Sequence, residues 1–282
     1  MVFDRNEKKE VIALLGAGSM GTAIVRKIAA GKKILLGDIS EENLERVKKD
    51  FMYGGYDVET CVVNALEKES IDAFAEKAAS LGDVKYFIDT AGASPNQAKP
   101  EHIVALDMIG TGYALDAFGK VMAKGGAGLV ISSQAAYMYP FPYEAEQEVI
   151  NSPTEKLAEL SIVKDVAMQN SGLAYMIAKR VNHLQAIRAA AGAWKERRAR
   201  INTISPGVIV TPLAYDEFNA NGDGYQMMID ASAAERTGTS DEIAEAAAFL
   251  LGEHAGFITG TDLLIDGGVI ASIRTGNFKL QG

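Results

Sequence analysis

The sequence predicts an α/β fold built on a doubly wound parallel sheet of about seven strands. Three observations lead there. Short apolar runs alternate with longer stretches of helical spacing along most of the 282 residues, the rhythm of strand–helix–strand units. The runs are apolar almost throughout, as strands buried on both faces by right-handed crossovers require. No Pro/Gly/Ser-rich linker, internal repeat or low-complexity stretch interrupts the series, so residues 1–282 are expected to form a single domain.

Val11–Leu15 reads as the first buried strand, and Met20–Ala30 follows with helical spacing. Lys33–Leu36 is the second strand and the charged stretch Glu41–Asp50 its helix; Thr60–Val63 is the third, followed by a helix over Ser70–Leu81. Val84–Ile88, Ala127–Ile131 and Arg200–Ile204 supply three more strands, separated by long helical segments at about Pro100–Ala123 and Gly172–Arg197, and Leu263–Ile265 is the last. The rhythm breaks at about Tyr137–Ser171. This stretch opens on Tyr137, Tyr139, Phe141 and Tyr143, interleaved with Pro140 and Pro142. At Ser152-Pro153-Thr154-Glu155, Ser152 fits a helix N-cap, Pro153 the first helical position and Glu155 a capping box. Leu157, Leu160 and Val163 then recur on one face. An inserted loop and helix outside the sheet is predicted over residues 137–171, and residues 269–282 form a C-terminal extension.

With 48% apolar and 23% charged residues, the chain has the composition of a folded protein with a sizeable core, which disfavours disorder, collagen and coiled coil. Lys and Arg number 28 against 37 Asp and Glu, a net charge of −9, so the basic footprint that nucleic acid or an anionic membrane surface needs is missing. The basic stretch Lys195–Arg200 reads as a solvated face. One cysteine, Cys61, allows no internal disulfide. Met1–Glu10 is charged and unlike a signal peptide, and no apolar run approaches the ~18 residues of a membrane span. The expectation is a cytoplasmic protein that binds neither nucleic acid nor membrane.

The first strand runs directly into Gly16-Ala17-Gly18-Ser19-Met20-Gly21, which opens the first helix. Glycines at such a turn let the backbone bend sharply and approach a pyrophosphate, which the unsatisfied amides of the helix N-terminus hold. A tight turn without a ligand reads the same way, and the motif gains weight from Asp38, which ends the second strand about 20 residues on. Asp38 can accept both hydroxyls of an adenosine ribose and repels a 2′-phosphate. Neither Arg nor Lys sits in the glycine turn or just after Asp38, so NAD is expected over NADP.

Further on, Tyr175-Met176-Ile177-Ala178-Lys179 places a phenol and an ammonium on one helix face. A neighbouring cation stabilises phenolate and moves a tyrosine pKa down from about 10, the property of a general acid/base. Ser133 ends a predicted strand at the carboxyl edge of the sheet, where doubly wound folds bind ligands. The histidines, His102, His183 and His254, form no HExxH motif or cluster with cysteine, and there is no GxSxG elbow. Neither a metal centre nor a serine hydrolase is expected, and His183 reads as a packing or interface residue.

On these residues the chain resembles the short-chain dehydrogenase/reductases over about residues 10–268. The likeness extends to Ile131-Ser132-Ser133, Asn202–Thr211, Arg236–Glu242, Ile258-Thr259-Gly260 and Ile265-Asp266-Gly267-Gly268. It implies a Rossmann-type fold with a helical insert before the catalytic tyrosine, and a nicotinamide dinucleotide as cofactor. Tyr175 is then the general acid/base, Lys179 lowers its pKa and binds the nicotinamide ribose, and Ser133 polarises the carbonyl. Cofactor contacts are implied from Gly16, Gly18, Ser19, Met20 and Gly21, from Asp38 and Ile39, and from Asn64 and Ala65 near the adenine. Ala91 and Gly92 fall at the adenosine ribose, and Pro206, Gly207, Ile209 and Thr211 in the segment beside the nicotinamide. Family members usually form dimers or tetramers, so a homo-oligomer is expected.

The chain departs from the family in several places. Met20 and Thr22 stand where the pattern GxxxGxG has its second and third glycines, and Asp89-Thr90-Ala91-Gly92 replaces the usual Asn-Asn-Ala-Gly. Asp107 or Met108 takes the place of an Asn that holds a proton-relay water. Ser133 and Tyr175 lie 42 residues apart, far more than is usual. This insertion and the ending Asp266–Phe278 are similar to bacterial 3α-hydroxysteroid dehydrogenase/carbonyl reductases and coniferyl-alcohol dehydrogenases. Because the insert follows Ser133 directly, Tyr137 and Tyr139, with Phe141 and Tyr143, are expected either to wall the reacting centre or to pack the insert onto the domain or a partner subunit. Leu213–Ala234 corresponds to the family's substrate lid, with Tyr225, Met227 and Met228 as adaptable apolar surface.

The expected activity is NAD(H)-dependent interconversion of a secondary alcohol and a ketone on an apolar ring compound such as a hydroxysteroid. Ser133, Tyr137, Tyr139 and Tyr175 would face the substrate, and Asp107 would serve the relay. A nucleotide-sugar epimerase or dehydratase shares the glycine turn and YxxxK but generally has a longer C-terminal domain. A catalytically silent NAD-binding regulator would not need the Ser/Tyr/Lys set.

Overall fold

The computed structural model describes residues 9–96 and 98–279; the N-terminal stretch up to Lys8 and the last three residues of the C-terminal extension lie outside them. The strands are β1 (Glu10–Leu15), β2 (Lys33–Asp38), β3 (Asp57–Val62), β4 (Asp83–Asp89), β5 (Met122–Ile131), β6 (Arg200–Pro206), β7 (Ile209–Val210), β8 (Gly238–Thr239) and β9 (Asp262–Ile265). The helices are α1 (Ser19–Ile28), α2 (Glu41–Tyr53), α3 (Lys68–Leu81), α4 (Pro100–Ile103), α5 (Thr111–Val121), α6 (Tyr143–Asn151), α7 (Ser171–Ala191), α8 (Ala193–Glu196), α9 (Pro212–Ala231), α10 (Ser240–Leu251) and α11 (Val269–Arg274). All seven strands predicted from sequence lie in one sheet of order β3-β2-β1-β4-β5-β6-β9, and every neighbouring pair is parallel. β7 and β8 form a separate parallel ladder.

Successive residues of β1 point into different cores, which is why the strand is apolar throughout. Val11, Ala13 and Leu15 join Phe74 of α3, Phe118 of α5 and Trp194 of α8, while Ile12 and Leu14 join Ile24 of α1, Phe51 of α2 and Ile243 of α10. Phe87 of β4 stacks on Phe118 with ring centroids 3.8 Å apart. Each large side chain fully buried in this way contributes ~1.5–3 kcal/mol. The strand order reverses between β1 and β4, and a crevice opens there at the carboxyl ends of the strands.

The long segment predicted near Pro100–Ala123 is not a uniform helix: a π-helical turn over Val104–Gly110 joins α4 to α5. Two buried side chains of α7 support it. Asn182 Nδ2 donates to the Asp107 carbonyl at 2.6 Å and Gln185 Nε2 to the Met108 carbonyl at 2.8 Å.

The insert departs from its sequence reading. No capping box forms at Ser152: that residue ends α6, and Pro153 precedes a 3₁₀ turn over Thr154–Glu159. Tertiary partners take the polar groups instead. Thr154 Oγ1 donates to Asp116 Oδ2 at 2.6 Å and receives Arg188 Nη2 at 2.8 Å, and the Ser152 carbonyl receives Arg188 Nη1. The apolar pattern was read correctly. Leu157 and Val163 are fully buried in a third core with Val149, Met108, Ile177 and Val181, and Leu160 packs against it.

The Lys195–Arg200 stretch is more than a solvated face, because Arg200 donates to the carbonyls of Leu250, Leu251, Gly252 and Ile258 and so caps α10. Asp266 accepts from the amides of Gly268 and Ile270 at the start of α11, and Ser272 Oγ donates to the Ala231 carbonyl at 2.6 Å, tying the C-terminal extension to α9. Among the described residues no helix is long and apolar enough to cross a membrane.

Candidate active site

The glycine turn after β1 lies against the segment after β4. Gly16 has a φ of +86°, and a Cβ there would lie 2.6 Å from the Ala91 nitrogen, so only glycine suits the position. Its amide donates to the Gly37 carbonyl at 2.8 Å, and its carbonyl accepts from Thr90 Oγ1 at 2.6 Å. At Gly21 a Cβ would come within 2.7 Å of Thr90 Oγ1 and 2.8 Å of Leu14 Cδ1, so this residue lets α1 sit directly on β1. Gly18 is the N-cap of α1, provides no capping side chain and faces open space. The first amides of α1 therefore lack a side-chain acceptor, the arrangement that holds a pyrophosphate. Met20 and Thr22 stand at the family's glycine positions, while the tight turn, the open N-cap and the close helix–strand approach fall to Gly16, Gly18 and Gly21.

In front of the turn is a cavity of about 480 Å³. Of the predicted cofactor residues, Gly16, Gly18, Ser19 and Met20 line its floor, Asp38 and Ile39 one side, and Asn64 and Ala65 another; Ala91, Gly92 and Thr211 close it toward the catalytic side. Gly21 packs behind it. Asp38 Oδ2 accepts from the Ala17 amide at 2.8 Å and Oδ1 from the Ser40 amide at 2.9 Å. Asn64 braces its own turn: its side chain accepts from the Leu66 amide at 3.1 Å and donates to Glu67 Oε1 at 2.8 Å. Arg46 also lines the cavity. No local spacing marks it as a cavity residue, because Arg46 arrives from the second turn of α2 and not from the residues next to Asp38.

A second cavity, about 140 Å³, shares Met20, Thr90, Gly92 and Thr211 with the first and holds Ser133, Tyr175 and Lys179 together with Pro206, Gly207 and Ile209. Ser132 Oγ donates to the Lys179 carbonyl at 2.8 Å and so fastens α7 to the end of β5. Ser133 Oγ accepts from the Ala135 amide at 3.1 Å. Lys179 Nζ stands 5.3 Å from the centre of the Tyr175 ring and 3.1 Å from Asp107 Oδ2, in an ion pair with almost no exposure. Of the two relay candidates, Asp107 faces Lys179, while Met108 is buried in the third core.

Asp107 Oδ1 accepts from the Ala93 amide at 2.8 Å, and Oδ2 has no well-aligned donor among the described residues despite the nearby ammonium. Burial raises the Asp107 pKa against the pull of Lys179. Burial acts to lower that of Lys179, but Asp107 and then Tyr175 outweigh it and the ammonium stays protonated above its ordinary range. Asp89 is also buried, with Oδ1 accepting from the Ala91 amide at 3.1 Å, and burial pushes its pKa up to about 7.

Tyr137 and Tyr139 do not line this cavity. Tyr137 turns to the edge of the sheet, where its hydroxyl donates to Asp262 Oδ2 at 2.6 Å and its ring lies 5.5 Å from that of His183. Tyr139 packs edge-on to Phe141 over the third core, and Tyr143 is exposed. The packing role weighed for these aromatics, not the substrate wall, fits their positions. The physical reason is that the 3₁₀ turn Gln134–Tyr137 folds the insert back along α7. His183 is buried, bonded to Ser205 Oγ at 2.9 Å and 3.2 Å from Asp262 Oδ1, and burial lowers its pKa to about 4. From α9, Phe218 and Tyr225 line the cavity with rings 5.2 Å apart, and Met228 Sδ accepts from Gln134 Nε2 at 3.5 Å. Phe218 lies in the Leu213–Ala234 segment read as the lid, though only the fold shows that it, with Tyr225, lines the cavity of Ser133.

Comparison with known proteins agrees with this geometry. A family model described as enoyl-(acyl carrier protein) reductase matches residues 16–270. The chain is 37% identical over 268 residues to the short-chain dehydrogenase/reductase bsc3 of Alternaria brassicicola, covering 93% of this chain and 96% of that one. It is 30% identical over 190 residues to a 3-alpha-hydroxysteroid dehydrogenase/carbonyl reductase of Comamonas testosteroni, covering 67% and 73%. A short-chain dehydrogenase/reductase structure from Serratia marcescens superposes with a TM-score of 0.73 at 21% identity, over 93% of this chain and 98% of that one. The glycine turn at the strand-order reversal, the adjoining Ser/Tyr/Lys cavity and the match over most of the chain have one common reading: the chain belongs to the short-chain dehydrogenase/reductases, oxidoreductases of alcohols and ketones that bind a nicotinamide dinucleotide.

Proposed function

We propose that the protein is an NAD(H)-dependent enzyme that interconverts a secondary alcohol and a ketone, with Tyr175 moving the proton on the substrate oxygen. The observation that carries this reading is the buried Lys179 ammonium between Tyr175 and Asp107, in a cavity continuous with the glycine turn. The uncapped amides of α1 and the open space at Gly18 suit a pyrophosphate, and Asp38 beside the ribose position supports NAD.

When bound, the nicotinamide supplies or accepts the hydride. Ser133 donates a hydrogen bond to the carbonyl oxygen, so negative charge developing there is stabilised in place. Tyr175 gives its phenolic proton to that oxygen in reduction and takes it back in oxidation. Lys179, held charged, stabilises the phenolate left behind. Asp107 Oδ2, 3.1 Å from the ammonium, holds Lys179 charged and in place, and the proton that Tyr175 gives up in reduction is replaced from solvent. One domain carries both cofactor and catalytic residues in this reading, which also includes, from the family, a homo-oligomer in the cytoplasm.

For substrate we favour an apolar ring compound such as a hydroxysteroid. Ile131, Val208, Ala214, Phe218 and Tyr225 give the catalytic cavity an apolar portion beside the polar Thr90, Ser94, Ser133 and Lys179, and the Comamonas relative is named for a 3α-hydroxysteroid. The test is kinetics with steroid, aromatic, aliphatic and polyol substrates, each with NADH or NAD and with the phosphorylated cofactor. Tyr175→Phe is expected to lower kcat by about 10³-fold or more while dinucleotide binding, read by fluorescence titration, persists. Near-normal turnover of this variant would overturn the assignment of Tyr175.

A further inference from the structure

We propose that Asp89 is a positioning residue for the proton transfer: acting on the Lys179–Asp107 cluster, it raises the proton affinity of Tyr175. The inference rests on the reading of Tyr175 as the general acid/base and adds to it a group outside both cavities.

Asp89 ends β4 and lines neither cavity. Beyond it, Thr90 turns to the glycine turn, where its hydroxyl donates to the Gly16 carbonyl at 2.6 Å. The amides that follow hold two carboxylates: Ala91 donates to Asp89 Oδ1 at 3.1 Å, and Ala93 to Asp107 Oδ1 at 2.8 Å. Gly92 lies between them, so close that a Cβ there would stand 3.2 Å from both Asp107 Oδ2 and Lys179 Nζ. Asp89, Asp107 and Lys179 thus gather about one short segment, and their exposures are only 2%, 0% and 5%.

Lys179 and Asp107 pair at 3.1 Å, and their charges offset each other. Asp89 is bonded to the Ala91 amide and the Thr111 side chain, not to a cation. Its ionisation therefore places an uncompensated negative charge beside the pair. Because burial pushes its pKa up to about 7, that charge develops near neutral pH. On α7 the charge acts in two ways. It favours the Lys179 ammonium, which Asp107 already holds more strongly. It also opposes a phenolate at Tyr175, whose ring centre lies 5.3 Å from that ammonium. Of the other titratable groups, His102 of α4 acts on Asp107 more weakly than Lys179 does, and Tyr225 of α9 lines the catalytic cavity. Neither is a second unpaired carboxylate. The net result is a phenol that keeps its proton to higher pH. Reduction, which uses that proton, and oxidation, which needs the phenolate, both have their pH ranges moved upward.

The test is an ultraviolet titration of tyrosinate in the full-length, dinucleotide-free protein. Subtracting the titration of Tyr175→Phe isolates Tyr175, and the pair of measurements is made with Asp89, Asp89→Asn and Asp89→Ser. Asn keeps an acceptor for the Ala91 amide, and Ser separates loss of charge from an effect of the new amide. Both variants are expected to lower the Tyr175 midpoint by about 0.5–1 pH unit. The acid limb of kcat for alcohol oxidation should move down with it. An unchanged midpoint, with or without a change in Tm, overturns the proposal, as does a raised one. A lowered midpoint together with near-normal turnover of Tyr175→Phe upholds the coupling and overturns the catalytic role of Tyr175.

Discussion

Asp89 and Asp107 place two buried carboxylates near Lys179, and the consequence is readable in stability against pH. Asp89 has its pKa pushed up to about 7 by complete burial, so the folded chain keeps a proton that the unfolded chain has already lost. Its contribution to stability therefore falls as pH rises from about 4 to about 7. His183 acts in the opposite sense: its pKa lowered to about 4 means that acid favours the unfolded chain, and stability is lost as pH falls from 6.5 toward 4. The two slopes oppose each other below pH 6.5, and the Asp89 contribution stands alone just above it. Asp89→Asn retains an acceptor for the Ala91 amide and removes the buried charge. Its Tm should exceed that of the wild type at pH 8, with the difference narrowing toward pH 5; equal Tm values at both pH values would show that Asp89 carries no such cost. At this scale Gly16, Asp38, Ser133, Tyr175 and Lys179 were legible because their spacing and their places at strand ends are local properties. Arg46, Asn182 and Phe218 were not, because their places, in the cavity walls or against the Asp107 carbonyl, are set by elements that only folding brings together.

At the scale of elements, the π-helical turn before α5 decides how Asp107 reaches Lys179. It depends on Asn182 and Gln185, buried donors three residues apart on α7. Asn182→Ala leaves the Asp107 carbonyl without that donor, which should cost about 1–3 kcal/mol in chemical denaturation. It should also lower kcat more than it weakens dinucleotide binding, since the ion pair loses its support while the glycine turn is untouched. A variant with normal kcat and only reduced stability would make Asn182 a purely structural residue. The helical period predicted a helix here but not its wider turn, because the turn is stabilised by another helix and not by its own sequence. The failed capping box at Ser152 has the same cause: Asp116 and Arg188, distant in sequence, recruit Thr154 and the Ser152 carbonyl.

Across the whole molecule, the start of the insert is clamped to the edge of the sheet, and Tyr137 and Tyr139 stand outside the lining of the Ser133 cavity. Tyr137 bonds to Asp262 of β9, Asp262 accepts from Thr203 and Ser205 of β6, and Arg274 of α11 lies over the Tyr137 ring at 5.4 Å. Tyr137→Phe should therefore reduce stability by about 1–2 kcal/mol and leave the KM for ketone substrates within about twofold of the wild type. A large rise in KM with unchanged stability would restore Tyr137 to the substrate wall. The alternation of strands and helices, the dinucleotide turn and the Ser/Tyr/Lys set were determined by the sequence alone, because strand apolarity, helical period and motif spacing are written in neighbouring residues. The direction of the insert, the entry of Phe218 into the Ser133 cavity, the pairing of Asp107 and not Met108 with Lys179, and the presence of Arg46 in the wall of the larger cavity were decided only by the tertiary structure. Each of these depends on hydrogen bonds, ion pairs or packing between side chains that only the folded sheet and its helices bring within reach.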